Sequence, residues 1–399
     1  MSTSQNPISR WLRQVARVWS RELRLTFTDV GMLLFFFALP LVYPLVYTLI
    51  YNPEVITDLP VAVVDDSRTA QSRELTRSLD ATSAIKVIGY ATSLSEARRW
   101  QAEKHCYGVL VIPEDYARDL GRGEQANVEF YSDMSLLLRY RTFLSALTDV
   151  QLATGAKIRT EAMEAAGLPA SDAPIDNQAF FLGDQEQGFA SFIIPGIVVL
   201  IIQQSMVLGI AMLVGTSRDR RRRNGGLDPL AVQASPSAQC FGKLMAYMVP
   251  YIPMTIYALH YVPLMFSLPH IGSMTQYLPF ILPLLVASAG FGLVIAELMV
   301  TEREMSFMVV VFTSVVFLFL SGLTWPRYAM PEVWRWVGNC VPAVWGLEGF
   351  IRINSNGATL AQNFHPYMML WLLGAVYFLI YWLMLKLRRR SSSAQPSVA

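Results

Sequence analysis

Charge is scarce in this chain: Asp, Glu, Lys and Arg make up 16% of its 399 residues, well under the roughly one-quarter typical of soluble domains. The remainder is 53% hydrophobic, and the mean hydropathy is positive. Together these point to an integral membrane protein. Cysteine is nearly absent. Cys106, Cys240 and Cys340 are widely separated with no CxxC pair, so they are read as three unrelated buried thiols rather than a disulfide framework or metal knuckle. Histidine numbers four, and no His/Cys cluster has metal-ligand spacing. No GxxxxGK[ST] loop occurs, since Gly242-Lys243 runs on into Leu244 with nothing glycine-rich before it; this excludes a P-loop motor within the chain. The net charge of +2 comes with arginines at the ends of apolar runs rather than on one face, which argues against nucleic acid as a partner. No internal repeat of 20–50 residues is visible.

What is abundant is long apolar runs. Gly31–Tyr51, Phe189–Val214, Leu244–Phe266, Tyr277–Met299, Phe307–Leu323 and Tyr367–Leu387 read as six spans. The first is too long for a secretory signal and lacks an Ala-x-Ala site, so it is expected to remain as an anchor. Arg10, Arg13, Arg17, Arg21 and Arg24 precede it, Arg220–Arg223 follow the second run, and Lys386 with Arg388–Arg390 follow the last. Arginine-rich flanks stay inside, so both termini are expected on the cytoplasmic side of a multi-pass membrane protein, in contact with the lipid bilayer. The five N-terminal arginines recur every three or four residues beside Trp11, Val15, Val18 and Trp19, the pattern of an amphipathic helix on the membrane surface over residues 1–29.

Residues 52–187, after the first span (30–51), have a different composition. Leu59–Val64, Ile85–Tyr90, Tyr107–Ile112 and Ala126–Tyr131 read as strands, separated by the helical stretches Thr69–Leu79, Leu94–Lys104 and Glu114–Leu120. A long helix, Leu136–Ala166, follows. Strands alternating with helices predict a small α/β domain with a largely parallel sheet, here on the outer side of the membrane. Asp65, Asp66 and Ser67 follow the first strand, where ligand groups often sit; the alternative, that Asp66 and Ser67 turn the chain and cap the next helix, is preferred. His105 is expected to be structural. The fold class is therefore an α-helical membrane protein of six spans with an inserted α/β domain.

Within residues 188–387 three stretches draw attention. Between spans two and three, the basic segment 216–243 has room for a helix of its own: Asp228-Pro229 reads as its N-cap and first residue, with Ser235-Pro236 ending it. Such a helix on the cytoplasmic side is a natural lever for a soluble motor; the alternative is a solvated basic loop that only sets topology. Gln203-Gln204 sit in mid-span, where they either line a substrate path or bond between helices. Residues 324–366 are too polar and too rich in Pro and Gly to span, yet carry Trp325, Trp334, Trp336 and Trp345. A hairpin of short helices re-entering the outer leaflet fits them. The tail, 388–399, is expected to be disordered from Ser391 onward.

Ser321-Gly322-Leu323-Thr324-Trp325-Pro326, followed by Met330-Pro331, Trp334 and Val341-Pro342, resembles the signature after the fifth span of ABC-2 type exporter permeases. The closest resemblance is to the bacterial subgroup with a large periplasmic domain between the first two spans. Arg21-Glu22-Leu23 looks like that family's connector helix. The first cytoplasmic loop is similar to the family's coupling helix through Arg222, Gly225, Leu230, Pro236, Gly242 and Lys243. It departs at Arg223, where Glu is usual, and at Gly226, Asp228 and Ser235, where Thr, Glu and Thr are usual. The Glu-to-Arg departure inverts a charge on the expected docking surface.

This resemblance, which covers essentially the whole chain, implies an ABC exporter permease working as a dimer with a second permease copy. A separate ABC ATPase subunit would bind the ATP and Mg, this chain holding no cofactor or metal of its own and no catalytic residues. It implies ATPase coupling through Arg222, Gly225, Gly226, Asp228, Pro229 and Leu230, and a connector at Arg21 and Glu22. It also implies an external hairpin around Trp325, Pro326, Pro331, Trp334 and Pro342, and leaves open a periplasmic adaptor on the external domain. Mid-membrane polar groups and the aromatic hairpin suggest an amphiphilic or hydrophobic cargo. The competing class is a non-transporting receptor or assembly factor acting through the external domain. A membrane enzyme would have only Asp65/Asp66 or His270/His365, neither with a positioned third group. A proton-driven carrier would have only Glu297, at a span end.

Overall fold

The structure, a computed structural model, describes residues 6–51, 56–165 and 188–394, the side chains of 391–394 excepted. They fall into two compact units, one within Val55–Phe180 and the other formed by the rest of the chain.

The first helix, α1 (Pro7–Thr28), starts where Asn6 accepts from the Ile8 amide and Pro7 opens the first turn. Its buried residues are Val18, Glu22 and Thr26. Trp11 donates through Nε1 to Ser237 Oγ (3.1 Å) and meets Phe241 edge-on (5.4 Å), so Trp11 packs on another helix while Trp19 of the same stripe, Arg10, Arg13, Arg17 and Arg24 stay exposed. Helix α2 (Val30–Tyr51) is long and apolar enough to cross a membrane. It contains a π turn at Leu33–Ala38 that buries Phe36. Pro44 lies inside it, and Thr48 Oγ donates back to the Pro44 carbonyl (2.7 Å), so the threonine hydroxyl is satisfied within its own apolar helix.

In the α/β unit, β1 (Leu59–Asp65), α3 (Ala70–Asp80), β2 (Ile85–Tyr90), α4 (Leu94–Ala102), β3 (Gly108–Ile112), α5 (Tyr116–Arg122), β4 (Glu129–Ser132) and α6 (Leu137–Ala165) follow in order. The sheet order is β2-β1-β3-β4, with β1 parallel to both neighbours and β4 antiparallel to β3. Alternation along β1 sends Leu59, Val61 and Val63 into a core with Leu79, Leu110 and Phe143 of α6. Ala62 and Val64 go to the other face, with Ala97 and Cys106. The expected alternation and parallel sheet are present. The turn after β1 corrects one detail: Thr69, not Ser67, caps α3, in a reciprocal box with Ser72. Asp65 is consumed in ordering that turn, accepting from Ser72 Oγ (2.7 Å) and the Arg68 amide (2.9 Å). His105 is exposed beside Glu103. The ends of the expected domain, 52–55 and 166–187, lie outside the described residues.

The second unit continues with α7 (Phe189–Arg223), α8 (Pro236–Ile256), which runs on through a π turn (Tyr257–Tyr261) to Met265, α9 (Met274–Met299), α10 (Met305–Leu320), α11 (Glu332–Asn339), α12 (Pro342–Asn356) and α13 (Phe364–Ala394). Among the described residues four helices are long and apolar enough to cross a membrane: α2, α7, α9 and the Phe364–Arg390 part of α13. The two other expected spans correspond to the run 236–265, interrupted by Pro250, Pro253 and the π turn, and to the 16-residue α10. Helix α7 is the buried centre, its apolar residues packed against α2, α9, α10 and α12. Two expectations are corrected. The helix α13 continues to Ala394, so Ser391–Ser393 are helical rather than disordered. Cys340 is exposed and only Cys106 and Cys240 are buried, all three being free thiols.

Candidate functional site

The arginine-bearing ends of α1, α7 and α13 meet the start of α8 at Lys243 and the end of α9 at Glu297, and the connection 224–235 lies over them. Helix α7 does not stop where its apolar run does; it continues through Arg220–Arg223, since arginine is a good helix former and cations favour a helix C-terminus. Gly225 and Gly226 then take φ of +62° and +94°, conformations closed to most side chains. The Gly226 amide bonds back to the Arg221 carbonyl (2.8 Å), and this reversal brings Asp228 beneath the last turns of α7.

Asp228 is the hub. Its carboxylate accepts from Arg220 Nε (3.0 Å), Ser217 Oγ (2.7 Å), Arg21 of α1 (3.1 Å) and its own loop's Leu230 amide (3.1 Å). Burial pushes its pKa up, but the Arg220 and Ser217 bonds and the Leu230 amide outweigh that and hold it at about 2. Arg21 also pairs with Glu22 (2.6 Å), whose other oxygen accepts from Tyr247 on α8 (2.7 Å). One chain of charge-assisted bonds thus ties the loop to α7, α1 and α8. Beneath it lies a cavity of about 170 Å³ lined by Arg21, Glu22, Lys243, Glu297, Tyr381 and Arg388, among others. Glu297, placed at the span end as expected, is held between Arg218 (3.2 Å) and Arg388 (2.7 Å).

The loop itself corrects the expectation of a helix over 228–234. Asp228–Ala231 form a single turn, closed by the Ala231 amide on the Asp228 carbonyl (2.9 Å), and 231–235 are irregular. Ser235-Pro236 does not end a helix but begins α8, Ser235 capping Ala238 and Pro236 standing at the first position. The free loop therefore shrinks from 216–243 to 224–235, too short to repay helix nucleation. Pro229 lies in that turn, Leu230 and Leu227 are exposed at 47% and 76%, and Arg222 reaches Glu302 (3.5 Å) across solvent.

A second junction was not foreseen. Arg303, in the turn after α9, donates to both oxygens of Asp29 (2.5 and 2.6 Å), and its amide bonds Asp219 (3.1 Å). The Arg303 bonds hold the Asp29 carboxyl below its ordinary range. Gly215 faces this turn so closely that a Cβ would lie 2.6 Å from Arg303 Cα. The signal available in the sequence was an acidic residue, Asp29, placed between a basic helix and an uncharged span. Leu227 was also passed over.

Of the mid-span amides, Gln203 Oε1 accepts from the Ala343 amide (2.5 Å), capping α12, and Gln204 Nε2 donates to Thr313 (3.2 Å) and Ser314 (3.0 Å) on α10. They bond between helices; Gln203 Nε2 and Gln204 Oε1 have no partner among the described residues. Residues 324–366 hold two short helices, as expected. Pro326 leads a single 3-10 turn, Pro331 precedes α11, and Pro342 opens α12. Trp325, Trp334 and Trp336 are exposed, whereas Trp345 is buried under Arg327, which lies 4.8 Å from its ring.

A helical bundle with apolar spans, an inserted α/β unit and a charge-clamped loop at its basic end defines an integral membrane protein. The chain belongs to the family of ABC-2 family transporter proteins, whose model matches residues 30–383. This is the membrane permease family of ABC transporters, which implies an ABC ATPase as partner. A search of curated proteins finds no match.

Proposed function

We propose that the chain is the membrane subunit of an ATP-driven exporter in the bacterial inner membrane, with six spans, both termini cytoplasmic and the α/β unit periplasmic. It pairs with a second permease copy and takes its energy from two separate ATPase subunits, which hold the ATP and Mg. The observation that carries this reading is the Asp228 clamp. An ATPase that grips the exposed Leu227–Leu230 tip pulls on α7, the central helix, through Arg220 and Ser217, and on α1 through Arg21, so the two move together. ATP binding does work on the bundle only through its unequal affinity for the two arrangements of these helices. Arg223, where a carboxylate is usual in the family, gives the tip a basic rim and calls for an acidic docking surface on the ATPase. The cargo is amphiphilic or hydrophobic: the buried, unspent Gln203 Nε2 and Gln204 Oε1 offer polar contacts along a path within the membrane, and exposed Trp325 and Trp334 flank its outer end. Purifying the tagged chain from native membranes in mild detergent tests the proposal. A stoichiometric ATPase should co-elute and be lost on Leu227→Asp with Leu230→Asp; an intact permease with no ATPase would end it. Reconstituted transport of small polar solutes alone would end the cargo assignment.

A further inference from the structure

The cytoplasmic end of α13 carries Lys386, Arg389 and Arg390 at spacings of three and four, one face of the helix. That face and the first turn of α8 bound an open groove of about 510 Å³, lined by Pro236, Ser237, Trp382, Lys386, Arg389 and Arg390, with no acidic residue among them. Arg388, within the same run, points elsewhere, to Glu297. The Lys386 ammonium lies 4.9 Å from the Trp382 ring centre. Across the groove, Pro236 has no amide proton, the Ala238 amide is taken by Ser235 Oγ (3.3 Å), and the Ser237 amide has no acceptor among the described residues. The positive end of a 21-residue helix therefore faces three cations across the groove, an arrangement that favours an anion.

One helical turn further into the apolar zone, the character changes. Phe241, 41% exposed, meets Trp11 of α1 (5.4 Å) and Phe378 of α13 (4.8 Å) edge-on. A cationic crown thus sits above an aromatic row shared by three helices, one turn away along α8 (Ser237 to Phe241) and two turns or more along α13 (Lys386 to Phe378), about 5–12 Å. A soluble phosphate would use the crown alone; an anionic lipid uses both levels, with its phosphodiester among the cations and its chains on the rings. We propose that this groove is a binding site for one anionic phospholipid, which bridges α1, α8 and α13. The proposal needs only that the chain lies in a membrane, and it stands apart from the ATPase partnership.

Native mass spectrometry of the full-length chain in mild detergent tests it, titrated with phosphatidylglycerol, phosphatidylcholine, glycerophosphoglycerol and inorganic phosphate. One saturable phosphatidylglycerol adduct is expected, with phosphatidylcholine at least tenfold weaker. Lys386→Gln with Arg389→Gln should weaken it roughly tenfold or more, each cation near an anionic surface contributing several-fold. Lys386→Arg with Arg389→Lys should restore it, which separates lost charge from lost structure. The charge-matched pair Arg17→Gln with Arg24→Gln, on the exposed face of α1, should change it less than about twofold. Equal losses from the two glutamine pairs would mean diffuse surface attraction and would overturn the site. Equal occupancy by glycerophosphoglycerol or phosphate would overturn its assignment to a lipid.

Discussion

Replacing Asp228 with asparagine keeps the side chain's shape and removes the charge on which Arg21, Arg220 and Ser217 converge. The folded protein holds this carboxyl at about 2 against an ordinary 3.8. At about 1.4 kcal/mol per pKa unit, the ionised form contributes about 2.5 kcal/mol of stability. Because the folded value lies below the unfolded one, that contribution is complete above about pH 4 and is lost as the pH falls towards 2. At neutral pH, Asp228→Asn should therefore lower the unfolding temperature by on the order of 5 °C. Arg21 and Arg220 would be left facing each other, so the loop should also lift. Trypsin reports this directly, since Arg220–Arg223 stand at the loop's edge: cleavage there should become markedly faster in the variant. A double-mutant cycle with Arg21→Gln should show a coupling of at least about 0.5 kcal/mol. An unfolding temperature and cleavage rate matching the parent protein would refute the clamp.

Other consequences follow from single contacts. Gln203→Leu removes the cap on the buried Ala343 amide and should cost about 1–3 kcal/mol in thermal unfolding. Gly215→Val forces a side chain against the Arg303 backbone and should cost about 1–3 kcal/mol. Gly155→Ala, within α6 and facing open space, should be neutral or stabilise the α/β unit by up to about 1 kcal/mol in the same assay. His270, in the turn before α9, is held below its ordinary pKa by burial, with His260 adding to the effect against the Asn354 bond. The unfolded chain therefore takes up this proton first on acidification. Stability from neutral His270 is full above about pH 6.5 and falls as the pH drops through the folded value. The unfolding temperature should decline more steeply between pH 7.5 and 5.5 in the parent protein than in His270→Gln.

Four of the spans and the α/β alternation were legible because they rest on the strongest local signals, uncharged runs and period-two apolar strands bounded by turns. What the sequence hid depends on contacts distant along the chain. Ser235-Pro236 reads equally as a helix stop or a helix start; the decision rests with Gln14, which accepts from the Ser235 amide (3.0 Å), and with Trp11, which bonds Ser237. Arg220–Arg223 mark a membrane boundary, yet nothing local says that the helix runs through them until Asp228 folds back to pair with Arg220. Asp228 itself reads as a helix cap because it does accept from the next turn, but the arginines of two other helices claim most of its capacity. Gln203 and Gln204 are legible as polar groups that must face protein, while their partners, an amide on α12 and hydroxyls on α10, lie more than a hundred residues away.

If the 224–235 loop receives a separate ATPase and passes its motion on through Asp228, a probe on the loop must meet that ATPase. A photo-crosslinking residue placed at Leu230, with a control at Leu372 on an exposed face of α13, tests this most directly in native membranes. The Leu230 probe should capture an ATPase polypeptide, capture should change when ATP is trapped on the motor, and the Leu372 probe should capture none. An intact permease whose Leu230 probe captures only lipid or nothing would contradict that role for the loop.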